Sequence, residues 1–210
     1  MAQTQPPAGA RLMLVLTVTP ALDARSVEAA VRAGDVACLV LRLPEGSGAR
    51  PDAAHLREIA EAAQRREAAV LLAGPEGLVA SAALDGVHVA DGRGLEAVLR
   101  LLKPASIVGA GGLATRHDAM VAGESGADYV FFGALAPDAG DFPRVLDLVS
   151  WWSDLFEVPC VGIATSLDEV GALAQAGADF VALAESLLAG NPAAAVAAAQ
   201  ARIVSPEGSR

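Results

Sequence analysis

Arg42 is a cation in an apolar setting, because it ends the run CLVLR, whose other members are hydrophobic. An arginine side chain can hold a phosphate or carboxylate through two parallel hydrogen bonds, so this position suggests a binding site for an anion. Arg42 could equally form a structural ion pair with Asp91, Glu45 or Glu185. The sequence leaves both interpretations open, and Arg42 is a candidate ligand-binding residue.

His88, Asp91 and His117 are the candidates for proton transfer. Histidine changes charge near neutral pH and a carboxylate accepts protons, so these residues could serve a reaction that uses no metal. Structural roles are the alternative. His88 follows Val87 in an apolar run and could be a packed core histidine, whereas Asp91 could form a solvated pair with Arg93. Nothing in the sequence has the spacing of a metal site, so we expect none.

Small and hydroxyl-bearing residues form a second set of candidates, for binding a ligand through backbone N–H groups and hydroxyls. They are Gly111 and Gly112 in the motif GAGG, Thr165 and Ser166 after a later apolar run, and Ser186. Backbone N–H groups at such turns can hold an anion. A glycine run alone is weak evidence, however, because a tight turn from a strand to a helix also explains GAGG.

The elements that position these residues are eight short apolar runs. They alternate with segments in which apolar residues recur at helical spacing. Their apolar character is nearly continuous, which is typical of strands buried on both faces of a parallel sheet. Eight such strands with helices between them predict a single (β/α)8 TIM barrel, whose active site lies at the carboxyl ends of the strands. The runs span residues 12–18, 36–42, 68–73, 84–89, 105–110, 127–133, 158–164 and 178–184.

The turns from helix to strand repeat along the chain. ESGADYVFFGAL and QAGADFVALAES both pass through Gly-Ala-Asp into an apolar run, as repeated βα units should. We interpret Asp128 and Asp179 as turn residues that bind nearby backbone N–H groups on the amino-terminal face, away from the site. Lys103, the one lysine of the chain, is predicted on the same face.

Two helix starts carry capping patterns. Thr115 precedes one helical segment, and Asp118 three residues later predicts only an imperfect capping box, because Glu or Gln is preferred there. Ser166 precedes another segment and has the preferred Glu169 at that offset.

The composition predicts one domain, at residues 11–203, between disordered tails at 1–10 and 204–210. A net charge of -10 argues against nucleic acid as a partner, because neutralising phosphates needs a basic surface. No apolar run approaches the roughly 20 residues of a membrane span, and the start of the chain lacks the pattern of a signal peptide. We therefore expect a cytoplasmic protein without membrane contact.

The order of the runs resembles the thiamine-phosphate synthase family and its close relative, the thiazole tautomerase. The resemblance extends from Leu12 to Leu188, and GVH after an aspartate and GADYVFFG are its most specific parts. It implies a transferase of thiamine biosynthesis that couples hydroxymethylpyrimidine pyrophosphate with thiazole phosphate and uses Mg²⁺. The matching segments are VLTVTP, LVLR, LDGVHV, IVG, ESGADYVFFG, VPCVGIA and AGADFVALAESLL.

Most residues that the resemblance assigns to the pyrophosphate are absent. The family pattern Gln-x-Arg-Glu-Lys at the end of the second strand matches VLRLP at 40–44, so only Arg42 remains. Proline carries no charge and no N–H with which to bind a phosphate. The loop after the sixth strand carries Asp138 and Asp141 in place of threonines and a lysine.

The metal ligands implied by the resemblance are absent as well. The Asn-Asp pair after the third strand matches Ala73-Gly74, and the second magnesium-binding aspartate matches Arg93. Because Mg²⁺ needs carboxylate and phosphate oxygens, we expect no magnesium in its usual site and no other cofactor. The family's serine and histidine after the fifth strand are replaced by GAGGL, and His117 lies about one helical turn further on.

The place that holds the phosphate of the second substrate in the family is also altered. A Gly-Gly pair after the seventh strand is replaced by Ala164-Thr165, and Glu185 stands where the turn after the eighth strand would meet that phosphate. A carboxylate beside a phosphate dianion disfavours binding through charge repulsion.

Three hypotheses remain open. The chain is a diverged member that keeps a site for a small anion or a thiamine-precursor-like ligand at Arg42 and has lost the reaction, or an enzyme with a changed, metal-free reaction. Alternatively, it is a barrel retained for protein association.

Family members often form homodimers or trimers, which leaves a homodimer open. The adjacent Trp151 and Trp152 should point about 100° apart on a helix, so at least one is available for packing or an interface.

Overall fold

Eight parallel strands close into a barrel in the computed structural model, which describes residues 9–44, 52–136 and 141–204. Each strand pairs with its neighbour in sequence, and the first strand pairs with the eighth to complete the closure. Every apolar run overlaps one strand, which confirms the predicted (β/α)8 barrel. The strands are β1 (Arg11–Thr17), β2 (Val36–Arg42), β3 (Ala69–Ala73), β4 (Gly86–Val89), β5 (Ile107–Ala110), β6 (Tyr129–Phe132), β7 (Cys160–Ala164) and β8 (Phe180–Leu183).

Nine helices surround the barrel in the described part of the chain. Two of them, α3 and α8, are only four residues long, and both α8 and α9 follow β8. The helices are α1 (Ala24–Val31), α2 (Ala53–Gln64), α3 (Leu78–Ser81), α4 (Leu95–Leu102), α5 (Arg116–Glu124), α6 (Phe142–Ser153), α7 (Leu167–Gln175), α8 (Glu185–Leu188) and α9 (Pro192–Val204). Each described helix is too short or too polar to cross a membrane.

The described residues reach slightly into both segments that the sequence predicts as tails. Ala10 is buried in the hydrophobic core, and Val204 is the last residue of α9. Residues 1–8 and 205–210 lie outside the described part of the chain.

The barrel has two hydrophobic layers, because successive side chains of a strand point to opposite faces. The larger layer lies between the sheet and the helices. The smaller one fills the inside of the barrel and includes Met13, Val15, Cys38, Val40, Leu71, Tyr129, Phe131, Val161 and Ile163. His88 is the one buried polar or charged side chain among the described residues.

Aspartates at the starts of β4, β6 and β8 join these strands to the preceding strand. Each carboxylate accepts a backbone N–H from that strand: Asp85 from Val70 at 2.7 Å, Asp128 from Val108 at 2.7 Å and Asp179 from Cys160 at 2.8 Å. Lys103 pairs with Asp128 at 2.5 Å on this amino-terminal face. The repeated Gly-Ala-Asp is therefore turn chemistry that stabilises the barrel, as predicted from the sequence.

Asp179→Ala should lower the free energy of unfolding by about 1–2 kcal/mol, because the N–H of buried Cys160 would lose its acceptor. Urea unfolding of the two proteins measures this difference. Asp168→Ala is a matched control, since Asp168 is 88% exposed and pairs with Arg202 at 3.4 Å. That surface pair should contribute less than about 1 kcal/mol. Equal losses in the two variants would contradict the role of Asp179.

The adjacent tryptophans of α6 point in different directions, as helix geometry predicts. Trp152 is buried, donates its indole N–H to the carbonyl of Val158 at 2.7 Å and stacks on Phe156. Trp151 is half-buried, and the guanidinium carbon of Arg116 lies 4.9 Å from its ring centroid. Trp152 is thus a core residue, and Trp151 is covered on one side by a cation–π contact.

Candidate functional site

Two cavities that share lining residues lie at the carboxyl ends of the strands, and Arg42 lines both. The first, called here the α6 lobe, encloses about 490 Å³ and is lined by the loops after β5 and β6 and by the start of α6. The second, called the α8 lobe, encloses about 360 Å³ and is lined by the loop after β6 and the region around α8. Arg42 therefore lies where the sequence predicts a ligand-binding cation.

The α6 lobe contains a second guanidinium, from Arg144 in the first turn of α6. Arg144 donates to the carbonyl of Ala114 at 2.5 Å, which ties it to the loop after β5. Asp141, just before α6, contributes one carboxylate to the same lining, and its side chain makes no capping hydrogen bond. The described lining of this lobe contains two arginines and one acidic side chain. This balance suits the lobe to bind an anionic group.

Arg144 is the residue that sequence reasoning missed. A barrel fold predicts site residues at strand ends, whereas Arg144 lies within a helix and reaches the cavity because α6 starts at the mouth. The one available signal was its nearness to the loop after β6, only three residues from Asp141. Glu45 and Asp138, which the sequence also associates with this region, lie outside the described residues.

The α8 lobe contains a carboxylate that is bound by the protein itself. Glu185 accepts the hydroxyl of Thr17 at 2.6 Å and the backbone N–H of Thr17 at 3.2 Å. Glu185 and Ser186 are both exposed and line the cavity. The ends of β1 and β8 are thereby joined by a carboxylate at the place where the resemblance implies a phosphate.

The donors at the end of β7 are also occupied. Thr165 donates its backbone N–H and its hydroxyl to Glu169 at 2.6 and 2.8 Å. Ser166 caps α7 by accepting the N–H of Glu169 at 3.3 Å, as predicted, but the Glu169 carboxylate binds Thr165 and not Ser166. The candidate ligand donors of Thr165 thus have a partner inside the protein.

The helix after β5 starts differently from expectation. Thr115 and Asp118 form a complete capping box, in which Asp118 accepts the N–H of Thr115 at 2.9 Å. The expectation of an imperfect box was wrong. The same carboxylate oxygen of Asp118 also accepts the Thr115 hydroxyl at 2.8 Å, and this second bond holds the short side chain close to the Thr115 N–H.

His88 lies inside the barrel, below the mouth. Its Nδ1 shares a 2.8 Å hydrogen bond with the hydroxyl of Tyr129, and its ring meets the Phe131 ring edge-on. Its Nε2 has no hydrogen-bond partner among the described residues and faces Gly111. Burial lowers the pKa of His88 to about 3, so the ring is neutral at neutral pH.

The glycines of GAGG allow the loops after β4 and β5 to pack closely. A Cβ on Gly112, whose φ is +68°, would lie 2.5 Å from the Cα of Asp91. A Cβ on Gly111 would lie 2.6 Å from the Nε2 of His88. Of the two, only Gly112 lines the α6 lobe. Close packing therefore accounts for both glycines, and Gly112 also remains a candidate contact for a ligand.

Asp91 and His117 line a different cavity, a groove of about 760 Å³ between α4 and α5. Asp91 and Arg93 are 65% and 91% exposed and approach to 3.8 Å, which is the geometry of a solvated pair. His117 is exposed on α5. The structure therefore separates the three proton-transfer candidates from Arg42: two lie in the outer groove, and His88 lies inside the barrel.

The residues at the positions expected for magnesium do not fit this ion. Gly74 has no side chain, and Arg93 would present a cation. Across residues 9–44, 52–136 and 141–204, no three His, Cys, Asp or Glu side chains are grouped so that they could hold a metal ion. Mg²⁺ is usually held by one or two carboxylates together with water and phosphate oxygens, and neither of these two positions supplies a carboxylate.

Comparisons with known proteins agree with the barrel fold and also point to a family. The family described as thiamine monophosphate synthase matches residues 14–187. The thiamine-phosphate synthase of Rhodospirillum centenum is 39% identical over an alignment of 198 residues, and the match covers 88% of this chain and 94% of that protein. The corresponding enzyme of Hyphomonas neptunium is 37% identical over an alignment of 185 residues, and the match covers 83% of each chain.

A solved structure of similar shape is thiamine phosphate pyrophosphorylase from Pyrococcus furiosus. It superimposes with a TM-score of 0.74 over 94% of this chain and 97% of that one, at 16% sequence identity. At this identity the likeness supports the fold alone, and the two bacterial relatives carry the family assignment.

Proposed function

This chain belongs to the thiamine monophosphate synthase family, and we propose that it is a diverged member with an altered function. In this proposal it binds a phosphate- or pyrophosphate-bearing small molecule in the α6 lobe through Arg42 and Arg144. It does not form thiamine phosphate by the magnesium-dependent coupling that the resemblance implies.

The two arginines of the α6 lobe are the observation that carries the anion site. Arg42 comes from the end of β2 and Arg144 from α6, so the guanidinium groups approach the cavity from separate elements. Asp141 leaves the described lining with a net positive charge. Charge-assisted hydrogen bonds to phosphate contribute roughly 1.5–3 kcal/mol each, which is enough for selective binding of an anion.

The loss of the coupling reaction is inferred from two features. Departure of pyrophosphate from a pyrimidine needs a metal ion or comparable positive charge at the leaving group, and Gly74 and Arg93, at the positions expected for the metal ligands, offer no carboxylate. In addition, Glu169 and Glu185 occupy the N–H and hydroxyl donors where the phosphate of the second substrate would bind. Both substrates of the coupling therefore meet an altered site.

Arg42→Ala and Arg144→Ala should each weaken the binding of inorganic pyrophosphate at least about tenfold, because each removes a charge-assisted contact. Isothermal titration calorimetry on the full-length protein measures this binding. Arg93→Ala is the matched control, since Arg93 is 91% exposed and lines the outer groove. Absence of pyrophosphate binding, or an equal loss in the Arg93 variant, would contradict the proposed anion site.

The coupling reaction is tested separately. The purified protein is incubated with hydroxymethylpyrimidine pyrophosphate, thiazole phosphate and Mg²⁺, with the Rhodospirillum centenum relative as the positive control. We expect no thiamine phosphate above the rate without enzyme. Formation of thiamine phosphate by the wild type, abolished in Arg42→Ala, would refute the proposal of altered function.

A further inference from the structure

We propose that Glu185 makes the α8 lobe select an uncharged, hydroxyl-bearing ligand and reject its phosphate ester. This inference rests on the proposed function, because it concerns the second half of the same mouth. It names a substrate class, the alcohol form of a small ligand, for a place where the resemblance implies a phosphate.

The first support is that the donors of this region are already in use. A phosphate at the end of a barrel strand is normally held by backbone N–H groups and hydroxyls. Here the N–H and hydroxyl of Thr17, at the end of β1, bind Glu185 of the lobe. The N–H and hydroxyl of Thr165, at the end of β7 and outside the lining of the lobe, bind Glu169. Each carboxylate takes one N–H and one hydroxyl, which are the donors that a phosphate oxygen would need.

The second support is the charge that Glu185 presents to the cavity. Glu185 is exposed and lines the α8 lobe, so a phosphate bound there would lie beside a carboxylate. Two negative groups that lie side by side in a cavity repel each other, and the repulsion grows as water leaves the site. Arg42 is the one basic residue of the described lining, and it also lines the α6 lobe, where the proposed anion binds.

The third support is that the same carboxylate can accept a hydroxyl. An ionised carboxylate has about four lone-pair sites, and two suffice for the contacts with Thr17. The remaining sites of Glu185 can accept an O–H from a ligand, and the exposed Ser186 hydroxyl next to it can donate or accept. An alcohol thus gains hydrogen bonds at a position where its phosphate ester would meet repulsion.

The test compares hydroxyethylthiazole with its phosphate ester by calorimetry on the full-length protein saturated with inorganic pyrophosphate, which fills the α6 lobe so that the ester competes only for the α8 lobe. Binding of pyrophosphate alone is titrated separately. We expect the wild type to bind the alcohol at least tenfold more tightly than the ester. Glu185→Gln removes the charge and keeps an acceptor for Thr17, so it should improve binding of the ester at least tenfold. Glu157→Gln is the control, because Glu157 is exposed just before β7, on the opposite face of the barrel.

Ser186→Asp is a second variant that leaves the contact between Thr17 and Glu185 in place. The added carboxylate should weaken binding of the ester further, while the alcohol, whose O–H either carboxylate can accept, should bind at least as tightly as it binds the wild type. These two outcomes support the proposal even if Glu185→Gln proves too unstable for titration.

Three results would overturn the proposal: an ester that binds the wild type as tightly as the alcohol, equal changes in the Glu185 and Glu157 variants, or binding of neither thiazole compound. In the last case, pyrophosphate binding that still depends on Arg42 leaves the proposed function intact. Loss of pyrophosphate binding instead argues against the proposed function itself, so the two failures are distinguishable.

Discussion

Gly109→Ala is expected to lower the free energy of unfolding by at least about 3 kcal/mol, the size of a severe overpacking or core rearrangement. Gly109 lies in β5 between His88 of β4 and Tyr129 of β6, which are its paired neighbours in the sheet. A Cβ on Gly109 would lie 2.0 Å from the ring of Tyr129. That ring is buried and hydrogen-bonded to His88, so it cannot move aside without breaking this contact.

Guanidinium chloride unfolding of wild type and variant measures the loss. Gly171→Ala is the matched control: Gly171 lies inside α7, and a Cβ there would meet no atom within 4 Å. Alanine should stabilise this helix by about 0.5–1 kcal/mol. The double variant Gly109→Ala, Tyr129→Leu should recover part of the loss, because leucine leaves the space that the methyl group needs. An unchanged unfolding midpoint for Gly109→Ala would refute the close packing of β5 and β6.

The barrel could be predicted from the sequence because its signal is local. A strand buried on both faces is a continuous apolar run, and seven of the eight strands lie within such a run, while β1 begins one residue before it. The turn aspartates were predictable for the same reason. Asp128 and Asp179 bind backbone groups on the strand next to their own, and any right-handed βα repeat brings these strands together.

The candidate site was predicted less completely because its contacts depend on distances between separate loops. Arg42 lies at a strand end, where the fold alone places it at the mouth. The position of Asp91 could not be predicted in this way. The backbone of its loop packs against Gly112, and its side chain lies in the outer groove and not over the barrel. This approach depends on the φ of +68° at Gly112, which the letters GAGG do not specify.

The hydrogen-bond partners of the Glu169 and Glu185 carboxylates could not be predicted from the sequence either. Glu169 has the offset of a capping box, and this pattern predicts a bond to the N–H of Ser166. The observed bond goes one residue further back, to Thr165. The pairing of Glu185 with Thr17 joins residues 168 positions apart, so only the closure of β8 onto β1 reveals it. The proposed preference for a hydroxyl over a phosphate in the α8 lobe rests on the second of these contacts, because Glu185 lines that lobe.

His88 should make the protein less stable in mild acid. Burial lowers the pKa of His88 to about 3 in the folded state, against about 6.5 in the unfolded chain. Below pH 6.5 the unfolded chain therefore binds a proton that the folded protein does not. The stabilisation is fully present above pH 6.5 and is lost as the pH falls toward 3, by about 1.4 kcal/mol for each pH unit.

His88→Gln removes the titrating ring and keeps a polar group for the Tyr129 hydroxyl. The gap in unfolding free energy between wild type and His88→Gln should shrink by about 1.5–2 kcal/mol between pH 7 and pH 5, because only the wild type has a histidine to protonate on unfolding. Urea unfolding at several pH values measures the gap, with His117→Gln as the control for losing an exposed histidine. A gap that stays constant with pH would contradict a buried neutral His88. A shrinking gap would mean that His88 is held uncharged beneath Gly111 at neutral pH, where it supports Tyr129 and cannot donate a proton as an imidazolium to a ligand in either lobe.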